Sequence, residues 1–109
     1  MTFKEKINET RETWRFPADL FVQNTFVEIV YDSVAVAGEI GEMCNLIKKA
    51  FRLKYLTTGH PDLEASGKIS EEMVDALYYL FRMCDLLNID LDEAWEKKMN
   101  VNRERYLIK

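Results

Sequence analysis

The sequence predicts an all-α fold, a four-helix bundle forming a single domain over residues 1–109. Three observations carry this. Apolar residues recur at helical spacing over two long stretches. Capping signatures stand where helices should open. Only 4 Gly and 2 Pro punctuate 109 residues, too few turn residues for a sandwich, and no alternating run places a strand. A chain of this length is one domain by ordinary domain size.

The first helix is read over residues 2–16, polar, marked by Phe3, Ile7 and Trp14 and ended near Pro17. The second runs from 25 to 53. Thr25-x-x-Glu28 has capping-box spacing, and the stripe is Phe26, Ile29, Val30, Ala37, Ile40, Met43, Cys44, Ile47 and Phe51. Thr57-Thr58-Gly59-His60-Pro61-Asp62 reads as a loop, with His60, the sole histidine, as a turn residue. The third helix covers 68–87, with Met73, Val74, Leu77, Leu80, Phe81, Cys84 and Leu87 to one side and Asn88 as a left-handed terminator. Asp90-x-x-Glu93 opens the fourth, over 90–106.

Charge and composition narrow the function. A net charge of −4 and a pI near 5.0 exclude general binding to a nucleic-acid polymer or an anionic membrane, since both need a basic surface. No apolar run approaches the roughly 18 residues of a membrane span, and the charged start Met1-Thr2-Phe3-Lys4-Glu5-Lys6 has no signal-peptide character. Cys44 and Cys84, far apart and within apolar stretches, read as buried thiols. The expected compartment is the cytoplasm. An anionic ligand remains open if a metal or a local Lys/Arg cluster supplies positive charge.

Glu39 and Glu42 lie three apart on the second helix, about 60° around its axis, and share a face. A lone ExxE pair is ordinarily a solvated face. Here Gly38 and Gly41 alternate with the glutamates, each costing roughly 1 kcal/mol against Ala in a helix interior. Their presence suggests that a packed helix or a ligand approaches closely, and the flanking residues Val36, Ala37, Ile40 and Met43 are apolar. The third helix carries Glu72 and Asp75 at the same spacing, with Glu71 adjacent. Antiparallel packing could bring ExxE and ExxD face to face. Four carboxylates meeting beside a core would repel, at a cost of several kcal/mol, unless a divalent cation joins them. All-oxygen ligation suits Mg²⁺ or Mn²⁺ and not zinc. With one histidine, placed in a loop, a Glu/His di-iron bundle lacks its ligands.

The last helix supplies the opposite charge through Lys97, Lys98, Arg103 and Arg105, with Asn100 and Asn102 among them. Lys98, Asn102 and Arg105 share one face. They read either as cations favoured at a helix C-terminus or as phosphate contacts. An acidic metal cage with a basic cluster is what a metal-bound polyphosphate needs. Gly67-Lys68-Ile69-Ser70 is no P-loop: its glycine spacing is wrong and no strand precedes it.

Four segments taken in order resemble a known family: Ala37-Gly38-Glu39-Ile40-Gly41-Glu42-Met43, Glu71-Glu72-Met73-Val74-Asp75-Ala76-Leu77-Tyr78-Tyr79-Leu80, Ile89-Asp90-Leu91-Asp92-Glu93-Ala94, and Lys98-Met99-x-x-Asn102-x-x-Arg105-Tyr106. The chain resembles the MazG-like all-α nucleoside triphosphate pyrophosphohydrolases, closest to the compact dCTP pyrophosphatase-type members, over residues 25–106. The resemblance implies Mg²⁺-dependent hydrolysis of a (deoxy)nucleoside triphosphate to the monophosphate and pyrophosphate, as nucleotide-pool house-cleaning. It implies Glu39, Glu42, Glu72 and Asp75 as metal ligands, Lys98, Asn102 and Arg105 as the phosphate-contacting end, and Tyr79 on the nucleotide side. A glutamate not fully used in ligation, Glu39 or Glu42, would take the water's proton. Trp14-Arg15-Phe16-Pro17 echoes the dCTP-type aromatic segment without its histidine, and Lys48-Lys49 stands where a tryptophan is often found.

A helix of about 28 residues is roughly 40 Å long, longer than a compact domain of this size is thick. Phe21, Val22, Phe26, Val27 and Trp95 exceed what one stripe can bury. Self-association follows, and the resemblance sharpens it to a homotetramer, a dimer of dimers, or a homodimer. Two alternatives stand beside this reading. One is an all-α dUTPase or phosphoribosyl-ATP pyrophosphohydrolase relative. The other is a non-catalytic helical interaction module whose acidic stripe is a partner surface.

Overall fold

Thr2 opens the first helix with a complete capping box: its Oγ1 accepts from the Glu5 amide at 3.1 Å, and its own amide donates to Glu5 Oε1 at 3.4 Å. The computed structural model describes residues 1–13, 25–52, 56–59 and 66–106, with the side chain of Ser66 left out. These form α1 (Phe3–Thr13), α2 (Thr25–Ala50), the single turn α3 (Leu56–Thr58), α4 (Ser66–Leu86) and α5 (Leu91–Tyr106). The fold is all-α, and no strand occurs among the described residues. Trp14, Arg15, Phe16, Pro17, Phe21, Val22, Leu53 and the stretch from His60 to Asp62 lie outside them.

The helix ends follow the sequence closely, with three adjustments. Thr57 and Thr58 belong to the α3 turn and not to a loop; Gly59 follows with φ of 72°. α4 starts two residues earlier than read, at Ser66. Phe51 and Arg52 continue α2 as a wider π-type turn. Asn88 is left-handed with φ of 55°. The Ile89 amide reaches Cys84 O at 2.9 Å and the Asn88 amide reaches Asp85 O at 3.3 Å, the paired bonds of a Schellman end. Asp90 then caps α5, its Oδ1 accepting from the Glu93 amide at 3.1 Å.

α2 and α4 pack as an antiparallel pair, since contacts that rise along α2 fall along α4: Asp32 meets Arg82 and Glu39 meets Asp75. α1 lies on α4, and α5 packs on α1. Asp92, in the first turn of α5, accepts from the Phe3 amide at 3.0 Å and the Lys4 amide at 3.1 Å. It therefore serves two of the free amides at the start of α1, where a carboxylate also suits the helix dipole. The Phe3 ring stands between Trp95 at 5.4 Å and Phe81 at 6.2 Å. Arg11 grips Asp85 through a forked ion pair, and Tyr78 shares a hydrogen bond with Thr13 at 2.8 Å.

Little apolar surface of the described residues is buried. Among the described residues Ile7, Ala76 and Cys84 are the buried apolar ones, whereas Phe26, Val34, Ile40, Ile47, Phe51, Val74 and Trp95 are exposed. The α2 stripe read as core is thus largely bare in the protomer. Cys44, read as a buried thiol, is exposed for the same reason, and Cys84 is buried. The accessible surface is 8634 Å², against about 6300 Å² for a compact monomer of this mass. The radius of gyration, 17.7 Å, likewise exceeds the roughly 13 Å of a compact chain.

Candidate metal centre

The acidic centre forms where ExxE of α2 meets ExxD of α4. Glu39, Glu72 and Asp75 each present a carboxylate oxygen, all within 4.8 Å of one another. Glu39 and Glu72 are half-buried and Asp75 is exposed. Glu42, exposed, stands beside Glu72, and the two carboxylates are close enough to share a proton; this contact raises Glu42 above the usual carboxylate range. Glu72 is also raised, chiefly by Glu39. The three-residue spacing places each pair on one face of its helix, so antiparallel packing suffices to assemble the group.

Among the described residues no lysine or arginine forms an ion pair with Glu39, Glu42, Glu72 or Asp75. Glu39 Oε2 and Glu72 Oε2 are buried without a hydrogen-bond partner. Buried acceptors without donors are rare and costly. The donor set is hard, anionic and all-oxygen, which fits Mg²⁺ or Mn²⁺. At Gly38 and Gly41 an added Cβ would meet nothing within 4 Å, so of the two neighbours the sequence suggested, a packed helix is not supplied by the described residues of this protomer.

Tyr79 is half-buried one turn after Asp75 and meets Tyr31 edge-on at 6.5 Å. Burial, then the nearby Tyr31, Glu39, Asp32 and Asp75, raise its phenol above the ordinary value. Lys98, Asn102 and Arg105 do share a helix, but α5 packs on α1 through its first turns and makes no extended packing with α2 or α4. The structure does not bring this basic face to the carboxylates within one chain. Lys98 and Arg105 are exposed.

Sequence reasoning missed a second charged group on the same seam. Asp32 is fully buried (0% exposed) and lies two turns before Glu39; Arg82 lies two turns after Asp75. Arg82 Nε is 3.5 Å from Asp32 Oδ2, and Arg82 Nη2 donates to Glu28 Oε1 at 2.7 Å. Glu28 Oε1, expected in a capping box, is thus held by a charged donor, the stronger bond. The available signal was an acidic residue on the apolar face of one helix and a basic one on the apolar face of the other.

Burial pushes the Asp32 carboxyl up to about 6 from 3.8; Arg82 opposes the shift and Glu28 adds to it. A value raised on folding means this group's stabilising contribution is full below its unfolded value and is lost as pH rises through about 6. The melting temperature of the native chain should therefore gain on that of Asp32→Asn as pH falls from 7 to 4, with Arg82, Glu28 and Tyr79 unchanged in both. Parallel melting profiles across that window would show that Asp32 does not titrate there.

No family profile and no solved structure matches the chain. Two curated proteins do. dCTP pyrophosphatase 1 of Mus musculus is 32% identical over 75 residues, which is 69% of this chain and 44% of that protein. dCTP pyrophosphatase 1 of Homo sapiens is 31% identical over 78 residues, 67% of this chain and 42% of that protein. The chain spans less than half the length of these relatives. Over about two-thirds of its own length, it is similar to a part of the dCTP pyrophosphatases of mouse and human.

Proposed function

We propose that the chain is a metal-dependent nucleoside triphosphate pyrophosphohydrolase of the MazG-like all-α kind, one domain over residues 1–109, acting in the cytoplasm. Its substrate is a (deoxy)nucleoside triphosphate, cleaved to the monophosphate and pyrophosphate to clear the nucleotide pool. The observation that carries this reading is the Glu39–Glu72–Asp75 convergence within 4.8 Å, with buried acceptor oxygens and no ion pair to a lysine or arginine among the described residues. The likeness to dCTP pyrophosphatases supplies the substrate class.

Glu39, Glu42, Glu72 and Asp75 would hold Mg²⁺ or Mn²⁺, which when bound neutralises phosphate charge and orients water. Either Glu39 or Glu42 can accept the proton of the attacking water. Glu42 is favoured, because it stands outside the tight group of three. Tyr79, next to that group, would meet the nucleoside. The test is pyrophosphate release across the common and modified dNTPs with Mg²⁺ present. A strong preference for dUTP, or for phosphoribosyl-ATP when added, would move the chain to the alternative enzymes. No turnover and no bound Mg²⁺ would leave a helical interaction module.

The partner of the bare apolar stripe is a second copy of this chain, in a homodimer or a homotetramer built as a dimer of dimers. The exposed surface beyond that of a compact monomer, about 2300 Å², matches the area of an obligate interface. Assembly would also give the carboxylates a neighbouring Lys98–Asn102–Arg105 face. Light scattering at micromolar protein and physiological salt should give two or four times 12.9 kDa; a monomer with full activity refutes the assembly. Lys98→Ala and Arg105→Ala should each weaken triphosphate binding by about 1.5–3 kcal/mol, the worth of a charged hydrogen bond. Unchanged KM and kcat in both would reduce the cluster to a helix-end effect.

A further inference from the structure

We infer that the buried Asp32–Arg82 pair is a register key: it positions the carboxylates of α2 against those of α4 from two turns away, without touching them. The inference rests on the proposed metal site for its functional consequence and on the helix packing for its geometry.

Three contacts along the seam share one register: Asp32 with Arg82, Glu39 with Asp75, and Glu42 with Glu72; Arg82 also reaches Glu28 and Glu39 also meets Glu72, each within one turn of that register. In each of the three the two residue numbers add to the same total, so all three belong to one antiparallel register. Seven residues make almost two full turns, about 10.5 Å of rise. Fixing Asp32 opposite Arg82 therefore fixes Glu39 opposite Asp75.

The apolar residues of this seam cannot fix the register alone, because a slip of one turn exchanges one aliphatic or aromatic neighbour for another. The charged pair does discriminate. Slipped one turn in one direction, Asp32 would face Tyr78; in the other, Leu86. Either slip leaves a buried carboxylate without a cation, which is strongly destabilising. The same slips dismantle the acidic centre. Glu39 would face Glu71 with Glu42 opposite Lys68, or Glu39 would face Tyr79 with Glu42 opposite Ala76.

The pair's own geometry is poor for a stabilising contact. Neither Asp32 oxygen has a hydrogen-bond partner among the described residues, and the Asp32–Arg82 approach, at 3.5 Å, is longer than a charged hydrogen bond. A buried ion pair of this quality does not offset its desolvation, and the best-attested role for such a pair is to set register.

The test replaces both partners with apolar residues, Asp32→Leu/Arg82→Met. Helix content should persist and the melting temperature should stay level or rise. Mn²⁺ affinity should fall at least tenfold, and pyrophosphate release should fall with it. Register is read separately by pulsed electron resonance between nitroxides at exposed Ser33 and Lys68, in a Cys44→Ser/Cys84→Ser background diluted with unlabelled protein. The parent should give one distance; the double variant should add distances shifted by about one helical turn, 5.4 Å. The swapped pair, Asp32→Arg/Arg82→Asp, should restore the single distance and the Mn²⁺ affinity. It also serves as the deciding variant if the apolar pair does not fold. One parental distance with parental Mn²⁺ affinity in the apolar variant overturns the inference. If the parent binds no Mn²⁺, the metal reading fails, and the distances alone decide the register claim.

Discussion

Asp75→Asn and Glu42→Gln should each abolish pyrophosphate release, by more than about a hundredfold, while circular dichroism stays that of the native chain. Removing even an outer-shell partner of a metal ligand typically lowers metal affinity or activity about 10–100-fold. Loss of a ligand charge, or of the base, should exceed that. The two substitutions act differently under the proposed chemistry. Asp75 belongs to the group of three oxygens within 4.8 Å, so Asp75→Asn should lose Mn²⁺ binding. Glu42 stands beside Glu72 and outside that group, so Glu42→Gln should retain part of its Mn²⁺ binding and still lose turnover. Without metal, each variant has one repelling carboxylate fewer and should melt no lower than the parent. Titrating Mn²⁺ into both variants, followed by turnover under saturating metal, separates ligand from base. Parental turnover in either variant would sink the assignment of that residue.

Arg82→Met should be the most destabilising single change in the described part of the chain, costing about 3–5 kcal/mol at pH 7.5, the usual penalty for leaving a buried charge alone. Domains of this size are stable by only about 5–15 kcal/mol, so the variant approaches the limit of folding. Its loss concerns two acids at once, since Arg82 contacts both Asp32 and Glu28. Below pH 6 Asp32 can take a proton, because its value is already about 6 with Arg82 present and Arg82 holds it down. The variant should therefore recover much of its stability at pH 5. Urea midpoints at the two pH values check this. An Arg82→Met chain within 1 kcal/mol of the parent at pH 7.5 would mean that the interior at Asp32 is wetter than its burial indicates.

Helix periodicity and capping residues are local signals, and the elements they mark were legible to within a turn. Asn88 and Asp90 show why: each acts within its own few bonds, so the left-handed end and the cap of α5 follow from residue type and position. The acidic centre was legible for a related reason. Three-residue spacing fixes a shared face before any packing is known, and antiparallel pairing of α2 with α4 then brings the four acids together. Tertiary competition was not legible. Glu28 had the spacing of a capping residue, yet its Oε1 accepts from an arginine on another helix. Gly38 and Gly41 indicated a packed helix or a ligand, and the described residues of the protomer do not supply the helix. Hydrophobic spacing could mark a stripe, but it could not say whether the same chain covers it; Phe26, Ile40 and Phe51 are exposed for that reason.

The Asp92 tie has a consequence for how α1 and α5 can change. Its acceptors hold the main-chain amides of Phe3 and Lys4, donors that every residue except proline carries. The angle of α5 is thereby insulated from substitution at Lys4, whose side chain takes no part in the tie. It is sensitive instead to the backbone itself. Lys4→Pro deletes one of the two donors, and removal of the first four residues deletes both, without altering a residue of α5. The direction of the last helix is thus written partly in the first turn of the first, nearly the whole chain away in sequence.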